Sequence, residues 1–432
     1  MNYLLIILLF FISLFIRISN ISYPESITWD ETHFVHFVKN MISGQGYFTD
    51  HPPFGRMLMY ISTQTFGDNA LGWRASQALI GALLVPTSFL LAKTVFQTKN
   101  AGLITATLIT FEPILTLFSR IGVVDIFLIF FMSISLFLFI DSFKNKNLRL
   151  FILCSICSGL AIAVKWIGLI LIPIYILWHI SQQKSFIFKK RFYVLFFAIL
   201  ALSYLSTFAV DTKSFQFLST KYGIENKNFA YALINWHSLA FKSHAKQMTH
   251  LYSSKWYTWP LLYKPFWLDF KLTSHSLSSA KCFATLGNPT IWWGGLIVLI
   301  IQSILFVFKR NKILFFLTGS YLLSLIPFVF ISRPMFIYHY IPALFFLILI
   351  IEHLILNLPK NIFSRAFISV YIASTIFLYF YFLPFVNGTL VTYEEYHKKL
   401  WFENWKYKLI GWEWNHKQWT VPSEQSTEGI VH

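Results

Sequence analysis

Charge is what this chain has least of. Only 12% of its 432 residues are Asp, Glu, Lys or Arg, against 56% hydrophobic, and the mean hydropathy is +0.59. A soluble globular domain carries roughly twice that charged share, so water alone as solvent is excluded. Cysteine is scarce as well. Three residues (Cys154, Cys157, Cys282) cannot build a disulfide framework. Cys154 and Cys157 do spell C-x-x-C, but inside an apolar run without a strand pattern, which reads as one helical face rather than a redox centre. Acids are the scarcer half of the charge, 18 against 35 Lys and Arg, for a formal net charge of +17. A nucleic-acid binder gathers its basic residues on one folded domain. Here they cluster between apolar runs, which excludes that partner. No repeat, low-complexity tract or separate soluble domain stands out. The run Tyr3 to Phe15 lacks a small-residue cleavage site and is followed by Arg17 and Asn20, so a retained first membrane helix is expected.

What is abundant is apolar and aromatic: 48 Phe and 15 Trp, as expected where rings line lipid interfaces and apolar grooves. A spanning helix needs about 20 mostly apolar residues. Candidates fall near 3–19, 75–95, 101–118, 123–142, 150–164, 166–181, 192–210, 290–308, 313–331, 335–356 and 366–384, which makes eleven. Alternate connections carry the basic residues: Lys93 and Lys99; Lys144, Lys146 and Arg149; Lys184, Lys189, Lys190 and Arg191; Lys309, Arg310 and Lys312; Lys360 and Arg365. Positive-inside logic puts this set and the N-terminus in the cytoplasm. The 20–74 loop, the 211–289 loop and the 385–432 tail then face outward. All belong to one transmembrane domain, 1–432, of an all-α polytopic protein.

One polar stretch stands out, WDETHFVHFVKNMISGQGYFTDHPPFGR from Trp29 to Arg56. Phe34, Phe37, Val38 and Met41 follow helical spacing and predict an amphipathic helix along the interface. Asp30 and Glu31 are adjacent acids just past the first span. One of them can serve as a general base, because an apolar setting raises a carboxylate's proton affinity. On the pair alone a solvated helix cap is the favoured reading. Asp30, His33 and His36 can be drawn as a metal site, but no recognised ligand spacing is present, so none is assigned. Asp50 and His51 precede Pro52 and Pro53 in a stiff turn that can present both side chains.

Arg17, Arg74, Arg120, Lys165 and Arg333 all fall at outer span ends. Snorkelling explains any one of them. Five together at the face that holds the acids point to an anionic partner such as a lipid phosphate. Asp125, five residues past Arg120, is expected to pair with it.

The blocks WDETHF, HPPFGR, SRIGVVD (119–125), GLAIAVKWIGL (159–169), SSKWYTWPL (253–261), LGNPTIWW (286–293), RPMFIYHYIPA (333–343) and LPFVNGT followed by LWFENW resemble, in order, those of the protein O-mannosyltransferase family. The likeness covers nearly the whole chain and is to the short bacterial type, because 211–289 leaves no room for the β-trefoil MIR domain of eukaryotic members. It implies a GT-C membrane fold of about eleven helices with a cytoplasmic N-terminus. It also implies inverting transfer of mannose from a polyprenyl-phosphate-mannose lipid to Ser or Thr hydroxyls of exported acceptor proteins, at the outer face of a bacterial plasma membrane, with no cofactor. Carried over by position, Asp30 is the base with Glu31 beside it. Arg17, Arg74, Arg333 and His339 hold the donor phosphate. Asp50, His51 and Arg56 form an acceptor or structural loop, in which the acid abuts His51 and Arg56 stands where the family has Lys. Three competing readings remain. A related transferase would move another sugar to a lipid or glycan. A transporter would show mid-membrane charges and internal repeats, and an assembly factor would leave the Asp30 to His51 cluster unexplained.

Overall fold

Helices begin in this chain where a short polar residue precedes an apolar run. Asn69, Asn147, Asn288, Asn311 and Asn361 each stand in extended backbone and accept an N–H from the first turn with their side-chain oxygen. The computed structural model describes residues 2–28, 31–182, 189–210, 229–245, 250–273 and 276–407. Its helices are α1 (Asn2–Ile18), α2 (Glu31–Ser43), α3 (Phe54–Phe66), α4 (Ala70–Phe96), α5 (Lys99–Thr110), α6 (Pro113–Phe118), α7 (Asp125–Asn145), α8 (Leu148–Val164), α9 (Leu171–Gln182), α10 (Lys190–Val210), α11 (Phe229–Ala245), α12 (Pro289–Lys309), α13 (Lys312–Leu325), α14 (Ile341–Asn357) and α15 (Ile362–Phe382), followed by the short α16 (Pro384–Asn387) and α17 (Tyr393–Lys399).

Helix stands at each of the eleven expected places, with one interruption. The segment 101–118 is two helices, because Pro113 supplies no N–H and Glu112, extended, caps α6 through the Ile114 amide. Among the described residues, seven helices are long and apolar enough to cross a membrane, and the apolar stretches 3–18, 148–164 and 166–182 are shorter. The inner and outer helices separate clearly. Of the span Ile337–Asn357, 83% is buried within the protein, against 17% of Ile362–Phe382. Phe308 and Phe363 are among the bulky side chains left uncovered on the outer helices. Such surface is stable only against hydrocarbon, and the protein is an integral membrane protein.

An all-helical expectation omitted one element. Trp267–Thr273 (β1), Ser276–Ala284 (β2) and Val391–Thr392 (β3) form an antiparallel sheet in the order β1-β2-β3. Phe270 pairs with Cys282 and Ala280 with Val391. The sheet ties the second external loop to the tail, where Trp267 Nε1 donates to the Trp405 carbonyl and Trp405 Nε1 donates to that of Leu262. Buried rings rather than alternation hold it, which hid it in a run that reads as interfacial aromatics.

Candidate active site

The first node of the site is built on Glu31. It opens α2, is fully buried, and accepts from the Thr28 amide and the Gly122 amide. Arg74 of α4 grips it bidentately, Nε to Oε1 at 2.6 Å and Nη2 to Oε2 at 2.7 Å. Both side chains are 0% exposed. Gly122 allows this approach, since a Cβ there would lie 3.3 Å from Glu31 Oε1. The remaining N–H groups of Arg74 go to the carbonyls of Ile21, Pro24 and Ser26. All five guanidinium donors are therefore spent inside the protein, and Arg74 has none left for a lipid phosphate. Its work is to fix the first external loop, which corrects the expected donor contact. Glu31 in turn is held by Arg74 and not by Arg17. Asp30, the expected base, lies outside the described residues.

Arg17 is only partly committed, because its Nη2 is buried without a partner among the described residues. It is wholly buried at the end of α1, with Nε on Ser119 Oγ at 3.1 Å and Nη1 on Ser13. Gly81 of α4 makes room for that contact, because a Cβ there would sit 2.0 Å from Ser119 Oγ. Arg120 does not pair with Asp125. It donates to the carbonyls of Ile16, Arg17, Ser19 and Asn20 and so finishes α1. Arg56 is also interior, donating to Thr49 Oγ1 and to the carbonyls of His51 and Pro52 while its guanidinium lies over the Phe37 and Tyr47 rings. It sets the shape of the His-Pro-Pro turn. His33 and His36 are exposed on α2.

The second node is a cavity of about 500 Å³. Its apolar wall comes from Leu128 and Ile129 of α7, Ile167, Leu169 and Ile170 of the turn before α9, Phe241 of α11, and Phe328, Phe330, Ile331 and Ile341. Its polar groups are His51, Asp125, Lys165, His244, Arg333 and His339. Asp125 takes Lys165 through both oxygens, at 2.8 and 2.9 Å. Among the described residues, Arg333 is the cation of this cavity whose guanidinium makes no hydrogen bond. Its Nε is buried without a partner, and its one ionic neighbour, Asp50 Oδ2, stands 3.8 Å from Nη1, beyond hydrogen-bond reach. His339 stacks on Tyr338 at 4.6 Å, with Nδ1 3.0 Å from the Phe336 carbonyl. The Phe336 amide also donates to Nδ1, at 3.3 Å, so the main chain of Phe336 fixes the ring from both of its polar groups.

The end of α11 lines the cavity with Phe241, His244 and Ala245. Trp166 Nε1 donates to Tyr204 Oη, which donates to His237 Nε2, whose Nδ1 donates to the Leu233 carbonyl. That relay docks α11 on Trp166 and brings His244 to Asp50. Burial opposes the charge on Asp50, but His51, His244 and Arg333 outweigh it and hold the carboxyl down at about 2. Burial pushes the His51 imidazole well below its ordinary range against the opposing pull of Asp50. His244 is lowered too, by burial and then by Arg333.

Of the expected site residues the structure thus gathers His51, Asp50, Arg333 and His339 in one place. It puts Glu31 with Arg74 in another, and leaves Arg17 and Arg56 in neither. Two consecutive family models cover this same chain. Dolichyl-phosphate-mannose-protein mannosyltransferase matches residues 7–219, and the C-terminal four-transmembrane region of protein O-mannosyltransferase matches 226–405. The chain belongs to the protein O-mannosyltransferase family. Among relatives, a polyprenol-phosphate-mannose–protein mannosyltransferase of Mycolicibacterium smegmatis is 21% identical, with 82% of each chain covered. Protein O-mannosyl-transferase 2 of Danio rerio is 31% identical over 36% of this chain and 24% of its own. This chain spans about a quarter of the length of that and the next curated relatives it matches. A donor-bound protein O-mannosyltransferase complex of S. cerevisiae superposes with a TM-score of 0.80 at 15% identity, covering 94% of this chain and 93% of that one. The fold is the GT-C glycosyltransferase fold.

Sequence reading counted Lys165 among five outer cations for an anionic partner, flagged Trp166 only as part of a motif, and overlooked His244. The Lys165–Asp125 pair spans 40 residues and His244 meets Asp50 across 194. No spacing rule reaches across such separations.

Proposed function

We propose that this protein transfers mannose, with inversion, from a polyprenyl-phosphate-mannose lipid to Ser or Thr hydroxyls of exported proteins. The observation that carries the proposal is the cavity: an apolar wall that meets Arg333, a half-buried cation with no side-chain hydrogen bond among the described residues. A leaving lipid phosphate departs as a stable anion and needs charge stabilisation more than a proton, which a preorganised guanidinium supplies. The acceptor hydroxyl needs a base, and Asp30 takes that part. Its neighbour Glu31 accepts the Gly122 amide, three residues before Asp125 in the cavity wall. Base and leaving group on opposite faces of the sugar give inversion without a covalent intermediate. The step runs through side chains alone, with no cofactor. Family resemblance and basic-residue placement support an N-terminus in the cytoplasm, a site on the outer face and residence in a bacterial plasma membrane.

The test is purified protein in lipid nanodiscs with labelled polyprenyl-phosphate-mannose and a Ser/Thr-rich peptide. Label in the peptide with wild type and none with Asp30→Asn is the expected result. Label passing to a lipid or glycan instead, or unimpaired transfer by Asp30→Asn, would defeat the proposal.

A further inference from the structure

Asp50, His51 and His244 each offer one ligand atom, all within 4.8 Å of one another, at the wall of the cavity. They come from two segments of the chain, the His-Pro-Pro turn and the last turn of α11. We propose that the three side chains bind one divalent cation of the zinc class, which pins α11 to the first external loop.

The geometry of His244 is the strongest reason. Its Nε2 lies 3.0 Å from the main-chain carbonyl of Asp50, and a carbonyl can only accept, so Nε2 carries the proton. Nδ1 is then a lone pair, and it faces Asp50 Oδ2 at 3.7 Å. Two acceptors turned toward each other repel unless a positive centre lies between them. Metal-bound imidazoles are usually oriented by just such an N–H to carbonyl bond from the second nitrogen, which fixes the tautomer.

His51 completes the set. Its ring lies flat against Phe34, 6.0 Å away at 4°, and its centroid is 5.3 Å from that of His244. Neither of its ring nitrogens has a hydrogen-bond partner among the described residues, while its main chain is held by Thr49 and Arg56. Two imidazoles and one carboxylate suit zinc, cobalt or nickel and not magnesium or calcium, which prefer all-oxygen shells. Zinc ligands sit about 2.0–2.2 Å from the metal, so tetrahedral neighbours stand roughly 3.4 Å apart. The His244–Asp50 pair is already near that spacing, and side-chain rotation of His51 closes the remainder. The plain alternative is an ion pair in which a doubly protonated His244 and Arg333 share the Asp50 carboxylate. Arg333 Nη1, 3.8 Å from the same oxygen, and Ser243 Oγ, which donates to it at 3.4 Å, are the rival groups.

The test uses the full chain, purified without a histidine tag, stripped with chelator and titrated with Co²⁺ and then Zn²⁺. One Co²⁺ per chain, with visible ligand-field absorption that Zn²⁺ displaces, is expected, together with Zn²⁺-dependent thermal stabilisation. His244→Ala should weaken binding at least about a hundredfold, Asp50→Asn should do the same should the first variant misfold, and His33→Ala should bind as wild type does. No stoichiometric binding by wild type, or undiminished binding in folded His244→Ala or Asp50→Asn, overturns the site and favours the ion pair. Neither readout depends on mannose transfer, so the outcome is separate from that of the proposed activity.

Discussion

Replacing Arg74 by glutamine strands a carboxylate in the protein interior. Glu31 is 0% exposed and loses two of its four donors, while the carbonyls of Ile21, Pro24 and Ser26 lose theirs. Removing one partner of a buried ion pair costs about 3–5 kcal/mol, mostly from the charge left behind. Arg74→Gln and Glu31→Gln should therefore each destabilise the protein by about that much. The double variant, with no stranded charge, should cost little more than either single one, a coupling of at least about 2 kcal/mol. Denaturation by SDS in mixed micelles, followed by tryptophan fluorescence, measures all three. Polyprenyl-phosphate affinity of the folded fraction should stay within a few-fold of wild type. Wild-type stability in Arg74→Gln together with a large loss of lipid-phosphate affinity would show that Arg74 binds donor, and would refute the assignment.

Two further outcomes follow from the cavity and its wall. Ile129→Trp places a larger ring in the apolar half of the cavity, and should raise the donor KM at least several-fold with the thermal midpoint little changed; an unchanged KM would mean the lipid lies elsewhere. Lys165→Met leaves Asp125 unpaired at the wall and should lower stability by about 3 kcal/mol, with Asp125→Asn restoring most of it. Failure of that rescue would indicate that Lys165 serves substrate directly.

Much of the scaffold was legible in the order of residues, since apolar runs of the right length have few alternatives in a bilayer. Phe34 and Val38 also announced α2 by their spacing. The sheet was not legible, because Trp267 and Phe270 are held by rings brought in from the tail, and Phe283 by Tyr23 of the first external loop. For the site, residue type gave the chemistry but not the assignment. Arg17, Arg74, Arg120 and Arg333 look alike in sequence, each a cation at a span end. Only the count of their partners separates them: five donors spent in Arg74, four backbone carbonyls on Arg120, and, among the described residues, none hydrogen-bonded to the Arg333 side chain. Long-range pairs such as Asp50 with His244 depend on how α11 docks on Trp166, which local pattern does not encode.

The most direct check is the affinity of purified protein for polyprenyl phosphate in nanodiscs, comparing wild type, Arg333→Ala and Asp30→Asn. Charge-assisted hydrogen bonds are worth about 1.5–3 kcal/mol, roughly ten- to hundredfold in Kd. Arg333→Ala should lose that much while Asp30→Asn binds as wild type does. Wild-type affinity in Arg333→Ala would contradict the account.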